Sequence, residues 1–396
     1  MPLPAAVGYV AVGLVAGLLA LIRTGPQAFA PGTCMRLEPF LDSQVVGQGL
    51  ALKQLCDAVC DHLSNENPIK PLVISVHGPP GVGKSMMHQL AARALYNTGP
   101  EGDLQCPGID CPGYKVLYGM DYISSEREEQ HALLRAALME HVRSHPEALL
   151  VIEEYDKLDC ATRGFFRQLL ENARAANVTL DRSIVMLESN AGYLQLHELL
   201  EAAGSRDMIS AEEAQKVLKD LVFSMWTSDE CEERTDTLKM LALVDFFLPF
   251  LPLERPHIEQ LFVMRLQDRR RALLAEKLAA DLTWTPQVVQ FLADRVDFEG
   301  KYPIEGAKEV GTLMTRYISR VLRPWSSQLS GTPGKSVKAA MSSVAGKLKK
   351  AVKTPSKATS GKQKSLAPPA PHLQLRVQRD RRGYEQITVS DIDSRS

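Results

Sequence analysis

Charge of one sign is scarce in this sequence. Its 46 Lys and Arg residues offset 47 Asp and Glu, for a formal net charge of −1 over 396 residues, so the chain as a whole makes no electrostatic call on nucleic acid or a membrane. Acid is missing altogether between Ser330 and Gln378, where Lys335, Lys338, Lys347, Lys349, Lys350, Lys353, Lys357, Lys362 and Lys364 accumulate among Ser, Thr, Gly, Pro and Ala. Such a stretch buries too little apolar surface to offset its chain entropy, and residues 326–371 read as a disordered linker. The functional alternative is a basic arm for acidic lipid heads or nucleic acid, helped by a short helix around Ala339–Ala351. A cysteine metal site is missing as well. Of the seven cysteines, Cys106 and Cys111 lie in a turn-rich tandem without the two further ligands a zinc site needs. A local disulfide in an oxidising lumen is what that pair allows. Cys56 and Cys60, four apart on an apparent helix, read as two buried small apolar residues.

The run Ala5–Ile22 lacks any charge, ends at Arg23 and is followed by Ala28-Phe29-Ala30, a tripeptide that resembles a signal-peptidase site. Residues 1–30 therefore read as a secretory signal or, because the run reaches the lower limit for a spanning helix, as a retained membrane anchor. For a permanent span, Arg23 would put the following residues in the cytosol, which conflicts with a lumenal body. A third reading is a plastid leader: Gln27-Ala-Phe-Ala-Pro31 looks like the phenylalanine-containing junction of bipartite leaders in algae with complex plastids, although little Ser-rich transit sequence follows. The sequon Asn177-Val-Thr179 is compatible with a lumenal surface turn.

What the sequence does contain is a phosphate loop. Gly78, Pro79, Pro80, Gly81, Val82, Gly83, Lys84 and Ser85 satisfy G-x-x-x-x-G-K-[ST] without a mismatch, straight after the apolar run Leu72–Val76 and before the helical stretch Met86–Tyr96. The glycines let successive backbone N–H groups turn toward phosphates, and the helix N-terminus adds its partial positive charge. Lys84 reaches the β/γ-phosphates and Ser85 is placed to ligate Mg²⁺. Strand before and helix after turn a short pattern into a binding site for ATP with Mg²⁺.

Further along, Ala148-Leu-Leu-Val-Ile152 is closed by Glu153 and Glu154. A short apolar run ending in carboxylates reads as a buried parallel strand that delivers acids to the phosphate site. Glu153 stands where such sites usually carry aspartate and is assigned to orient Mg²⁺ through water. Glu154 is assigned to polarise the attacking water. The extra methylene of Glu153 loosens that geometry, and phosphoryl transfer depends chiefly on positioning. A second apolar strand, Ser183–Leu187, ends in Glu188-Ser189-Asn190-Ala-Gly192. An amide at the tip of a strand lying between the two nucleotide strands is placed to hold the lytic water and sense the γ-phosphate, which makes Asn190 the candidate sensor.

Taken together, Gln48-Gly-Leu, His62 to Pro71 leading into the phosphate loop, Glu154-Tyr-Asp-Lys157, Leu187-Glu-Ser-Asn-Ala-Gly192 and Asp245-Phe-Phe-Leu-Pro-Phe-Leu-Pro-Leu253 resemble the torsins, the lumenal branch of the AAA+ ATPases related to Clp-type disaggregases. The resemblance covers about Leu41 to Leu322. It implies Lys84 and Ser85 as Walker A, Glu153 and Glu154 as Walker B, Asn190 as sensor one and Lys308, in Glu305-Gly306-Ala307-Lys308, as sensor two. This chain departs from the pattern in places. Torsins usually carry Asn at the position of Ser85 and Cys at that of Ala307, so thiol control through a sensor disulfide is ruled out at Ala307. Leu243 occupies the place where Clp relatives put an arginine finger, with Arg206 as the rival donor, and no Gly-Tyr-Val-Gly-like pore loop lies between Tyr118 and Ala148.

The expected architecture is α/β: an AAA+ parallel-sheet nucleotide-binding domain over residues 41–243, a small helical lid over 244–325, the linker, and a C-terminal β-hairpin within 372–396 that docks on the body or on a partner's sheet edge. The expected function is ATP-gated, switch-like remodelling of a protein or membrane-associated partner in the endoplasmic reticulum lumen or nuclear envelope. Homo- or hetero-oligomers, a membrane activator with a lumenal domain, and no nucleic acid complete that reading. The rivals are an ATP-gated binding scaffold with little turnover and a plastid Clp-like chaperone.

Overall fold

The computed structural model describes residues 28–96, 106, 111–122, 127–171, 179–228, 234–329 and 370–392. The Ala5–Ile22 run, Asn177 of the sequon and the lysine-rich stretch from Ser330 to Pro369 lie outside them. Among the described residues no helix is long and apolar enough to cross a membrane. The chain divides into two compact units, one of residues up to His257 plus Glu299–Ala307, the other of Ile258–Phe298 plus Lys308 onward.

In the first unit β1 (Leu72–His77), β2 (Tyr114–Tyr118), β3 (Leu149–Glu153), β4 (Ile184–Ser189) and β5 (Phe246–Pro249) form one sheet in the order β2-β3-β4-β1-β5. All of its pairings are parallel. Every residue of β1 and β4 is buried, which is why their sequences read as continuous apolar runs rather than alternating ones. β2, at the edge, is only partly buried. Register brings the C-terminal ends level: Val76 pairs with Glu188, His77 with Ser189, and Ile152 with Leu187. Three strands thus deliver their loops to one rim, the crevice where open α/β sheets bind ligands. Below the rim, Val73, Ile152, Leu187, Phe166, Leu170 and Trp226 belong to one buried cluster, each large side chain contributing about 1.5–3 kcal/mol of apolar burial.

Helices α1 (Thr33–Asp42), α2 (Gly49–Ser64) and α3 (Lys84–Tyr96) complete the rim's surroundings. A disulfide joins Cys34 of α1 to Cys60 of α2. Cys60 is therefore a cross-link, not the small apolar filler its spacing suggests, because its partner lies 26 residues away. Among the described residues Cys56 is the unpaired buried thiol, pushed up to about 12 by burial and by Glu38, Asp42 and Asp57. Cys106 and Cys111 are bonded to each other.

The second unit is largely helical and contains the strand β6 (Asp281–Trp284). After the short strands β7 (Phe298–Glu299) and β8 (Tyr302–Pro303), the chain ends in a hairpin of β9 (His372–Arg379) and β10 (Glu385–Asp391). Asp380 builds its turn: the carboxylate accepts from the N–H groups of Arg382 and Tyr384 at 2.8 and 2.9 Å, and Gly383 takes φ +84°. β9 pairs in parallel with β6, Leu282 opposite Leu373 and Trp284 opposite Leu375. Leu373 and Leu375 are fully buried. The hairpin thus completes a three-stranded sheet of its own unit, and the sheet edge it uses belongs to this chain.

Candidate functional site

The phosphate loop leaves the end of β1 and enters α3. Its first glycine has no alternative: at φ +154° a Cβ on Gly78 would stand 2.2 Å from the Phe250 carbonyl oxygen, just past β5. Gly81, at φ +76°, lies against the Glu305–Ala307 turn, and the Ala307 N–H donates to its carbonyl at 2.8 Å. Gln48 clamps the loop from below. Its amide donates to Val82 O at 3.3 Å and Leu251 O at 2.9 Å, while its oxygen accepts from Leu251 N–H at 2.9 Å.

Lys84 is buried at the first position of α3, and its ammonium donates to Gly78 O (2.9 Å), Pro79 O (3.0 Å) and Asn190 Oδ1 (2.8 Å). Lys84 and Asn190, 106 residues apart, are in direct contact. Asn190 is held in turn by its N–H donating to Asp156 Oδ1 at 3.3 Å. Glu154 sits at φ +54°, ψ +42°, the left-handed region that a non-glycine residue occupies only under local constraint. Its carboxylate has no hydrogen bond or ion pair among the described residues. Lys308 opens a helix of the second unit and is exposed.

The carboxylates divide differently from the sequence expectation. Ser85 Oγ donates to Glu188, 3.1 Å from both of its oxygens, and Glu153 is instead tied to His88, whose Nε2 lies 3.0 Å from Glu153 Oε1 and 3.3 Å from Glu188 Oε2. His88 Nδ1 lies 2.7 Å from the Tyr114 hydroxyl. Burial alone would depress His88, but the hydrogen bonds and charges of Glu153 and Glu188 outweigh it and raise the imidazole above its ordinary value. His88, Glu188, Gln48 and Asp156 are site residues that motif reading missed. The one available signal was chemical misfit, a histidine on the buried face of a helix and a glutamate inside a wholly buried strand.

Arg206 corrects another expectation. Its guanidinium donates to Glu254 (3.0 Å), Gly47 O (2.9 Å) and Pro252 O within its own unit, so here it serves as a staple rather than a free finger. Leu243 packs against the core cluster. The side chain of Tyr122 lies outside the described residues.

Comparison with known proteins follows the same line. The torsin family model matches residues 27–106. A torsin-like protein of Caenorhabditis elegans is 25% identical over 248 residues, covering 61% of this chain and 66% of its own length. Its Drosophila melanogaster counterpart is 26% identical over 251 residues, covering 61% of this chain and 69% of its own. The chain is similar to the torsins. A more distant likeness, 24% over 301 residues, is to the chloroplastic chaperone ClpB2 of Oryza sativa subsp. japonica, of which only 28% is covered. The matched region spans about two thirds of the length of the torsin-like relatives.

The residues fit a nucleoside triphosphate with Mg²⁺. Lys84 already spends its donors on neutral oxygens at the loop, the glycines admit backbone where a Cβ would clash, and Ser85 Oγ faces a carboxylate.

Proposed function

We propose that this torsin-related chain binds Mg²⁺–ATP at Gly78–Ser85 and hydrolyses it slowly by itself, using ATP-gated assembly to remodel a protein or membrane-associated partner in the endoplasmic reticulum lumen or nuclear envelope. The observation that carries the reading is the contact of Lys84 with Asn190 at 2.8 Å, which joins the phosphate loop to the strand tip where a sensor must stand. ATP with Mg²⁺ supplies the transferable phosphoryl group and neutralises its charge. In this assignment Lys84 holds the β/γ-phosphate oxygens, Asn190 orients the lytic water, and Glu154, without a protein partner, accepts that water's proton. Ser85 and Glu153 are assigned to the metal, and Lys308 to the nucleotide from the lid.

Slow turnover follows from the absence of an arginine at the finger position, where Leu243 packs against the core cluster, and from the commitment of Arg206 to Glu254. An activator with a lumenal domain, or a second AAA+ subunit, would supply that cation, worth orders of magnitude in rate. The disulfides Cys34–Cys60 and Cys106–Cys111 support an oxidising compartment. A second reading, an ATP-gated scaffold with little turnover, is favoured by the engagement of Glu153 with His88.

Calorimetry with Mg²⁺–ATP on the parent and on Lys84→Ala tests the binding step. Clear loss of affinity in the variant is expected, and equal affinity refutes the site. Phosphate release with and without a membrane extract separates the two readings, since only the ATPase is stimulated.

A further inference from the structure

The buried face of α3 carries Met87, Leu90, Ala91, Ala94 and Leu95, and in their midst His88. It is 1% exposed and turns Nε2 toward two carboxylates that are themselves largely buried. Nε2 stands at 3.0 and 3.3 Å from these carboxylate oxygens, a spacing that is filled by a ring proton or by a shared metal ion. A proton there leaves two carboxylates facing a neutral or singly charged ring, so negative charge stays uncompensated. A dication bound to neutral imidazole and two carboxylates balances the charge, which matters where desolvation is expensive.

We propose that His88, Glu153 and Glu188 form a binding site for a first-row transition-metal dication of the Zn²⁺ or Mn²⁺ class. The ligand types fit, since imidazole with carboxylates suits these ions better than the all-oxygen shell that Mg²⁺ requires. Spacing fits too. Atoms held about 2.1 Å from a shared ion in tetrahedral or octahedral geometry stand about 2.9–3.5 Å apart, and Nε2 lies 3.0 and 3.3 Å from the two carboxylate oxygens. All three ligand atoms fall within 4.8 Å of one another. An outer shell is already in place: the Tyr114 hydroxyl holds His88 Nδ1 at 2.7 Å, which fixes the ring and directs Nε2 at the ion. Because Glu188 also accepts from Ser85 Oγ, the site is coupled to the start of α3. The inference needs no nucleotide; it shares Glu153 with the ATPase reading, which gives that carboxylate to Mg²⁺, and a titration free of nucleotide separates the two.

The test uses the full chain, stripped with a chelator and free of nucleotide. Zn²⁺ is titrated by calorimetry into the parent, His88→Ala, Glu188→Leu, Tyr114→Phe and Lys84→Ala, and Mn²⁺ added to the parent is examined by electron spin-echo spectroscopy for a coordinated imidazole nitrogen. Expected are a Zn²⁺ site lost in His88→Ala and Glu188→Leu, weakened about 10–100-fold in Tyr114→Phe, and kept in Lys84→Ala even where ATP binding is gone. The nitrogen coupling should be present in the parent and absent in His88→Ala. No Zn²⁺ uptake by the parent beyond that of His88→Ala, or Mn²⁺ without nitrogen coupling in the parent, overturns the proposal. The spectroscopic arm needs no variant to fold.

Discussion

Gln48→Met isolates the clamp beneath the phosphate loop. Gln48 is 2% exposed and satisfies three backbone groups, the carbonyls of Val82 and Leu251 and the N–H of Leu251. Methionine is close in volume, so the packing term is small and what is lost is hydrogen bonding. Each buried group left without a partner costs about 1–3 kcal/mol. The 3.3 Å bond to Val82 is long, and the chain relaxes around a missing amide. A destabilisation of about 3 kcal/mol is therefore expected, read as a lower urea midpoint at unchanged slope. Because Val82 lies inside the loop, ATP affinity should fall together with stability. A midpoint within about 0.5 kcal/mol of the parent, the range of ordinary surface changes, would refute the clamp.

Other outcomes follow from single contacts. His77 is buried with Nδ1 3.2 Å from Ala191 O and Nε2 2.7 Å from Ser75 Oγ, and burial lowers its pKa to about 4. The unfolded chain takes up this proton near pH 6.5 and the folded chain only near 4, so stability present above pH 6.5 is lost as pH falls through that window, by about 3 kcal/mol at most; His77→Gln should flatten urea midpoints measured between pH 7 and 4.5, and an unchanged slope contradicts the assignment. Replacing Cys34 and Cys60 with serine removes a cross-link across 26 residues, for a loss of about 3 kcal/mol in denaturant unfolding, and a midpoint equal to the parent's would mean that the bond does not form. Leu375→Ala, at a fully buried position of β9 opposite Trp284, should cost about 2–5 kcal/mol in the second unit, seen as early loss of amide protection in β6, and full protection there would undo the hairpin's docking. Arg206→Ala should lower stability through Glu254 and Gly47 without abolishing activated hydrolysis, so complete loss of turnover in a folded variant would restore it as a catalytic group.

The parts legible in the sequence are those whose signal is local. The phosphate loop announces itself in eight consecutive residues between a strand and a helix, and β1, β3 and β4 appear as apolar runs because both faces of a central parallel strand are covered. The alternation in β9 and β10 and the turn around Gly383 are equally local. What escaped reading depends on long-range register. Cys34 finds Cys60, Gln48 finds Leu251, and β9 finds β6 across the lysine-rich stretch, pairings that one sequence does not encode at any fixed spacing. Arg206 looked available because its stretch reads as a loop, yet its carbonyl partners come from Gly47 and Pro252. Position in the motif assigns Glu153 to the metal, but it does not show that Ser85 also meets Glu188, a carboxylate from the neighbouring strand.

The assignment of Glu154 as the base of an ATPase is tested most directly by Glu154→Gln, measured as phosphate release under saturating Mg²⁺–ATP with membrane extract present, alongside ATP affinity by calorimetry. The amide keeps the shape and cannot take the proton. ATP should bind as tightly as to the parent while phosphate release falls to the uncatalysed background. Parental hydrolysis by this variant would contradict the account and move the base elsewhere.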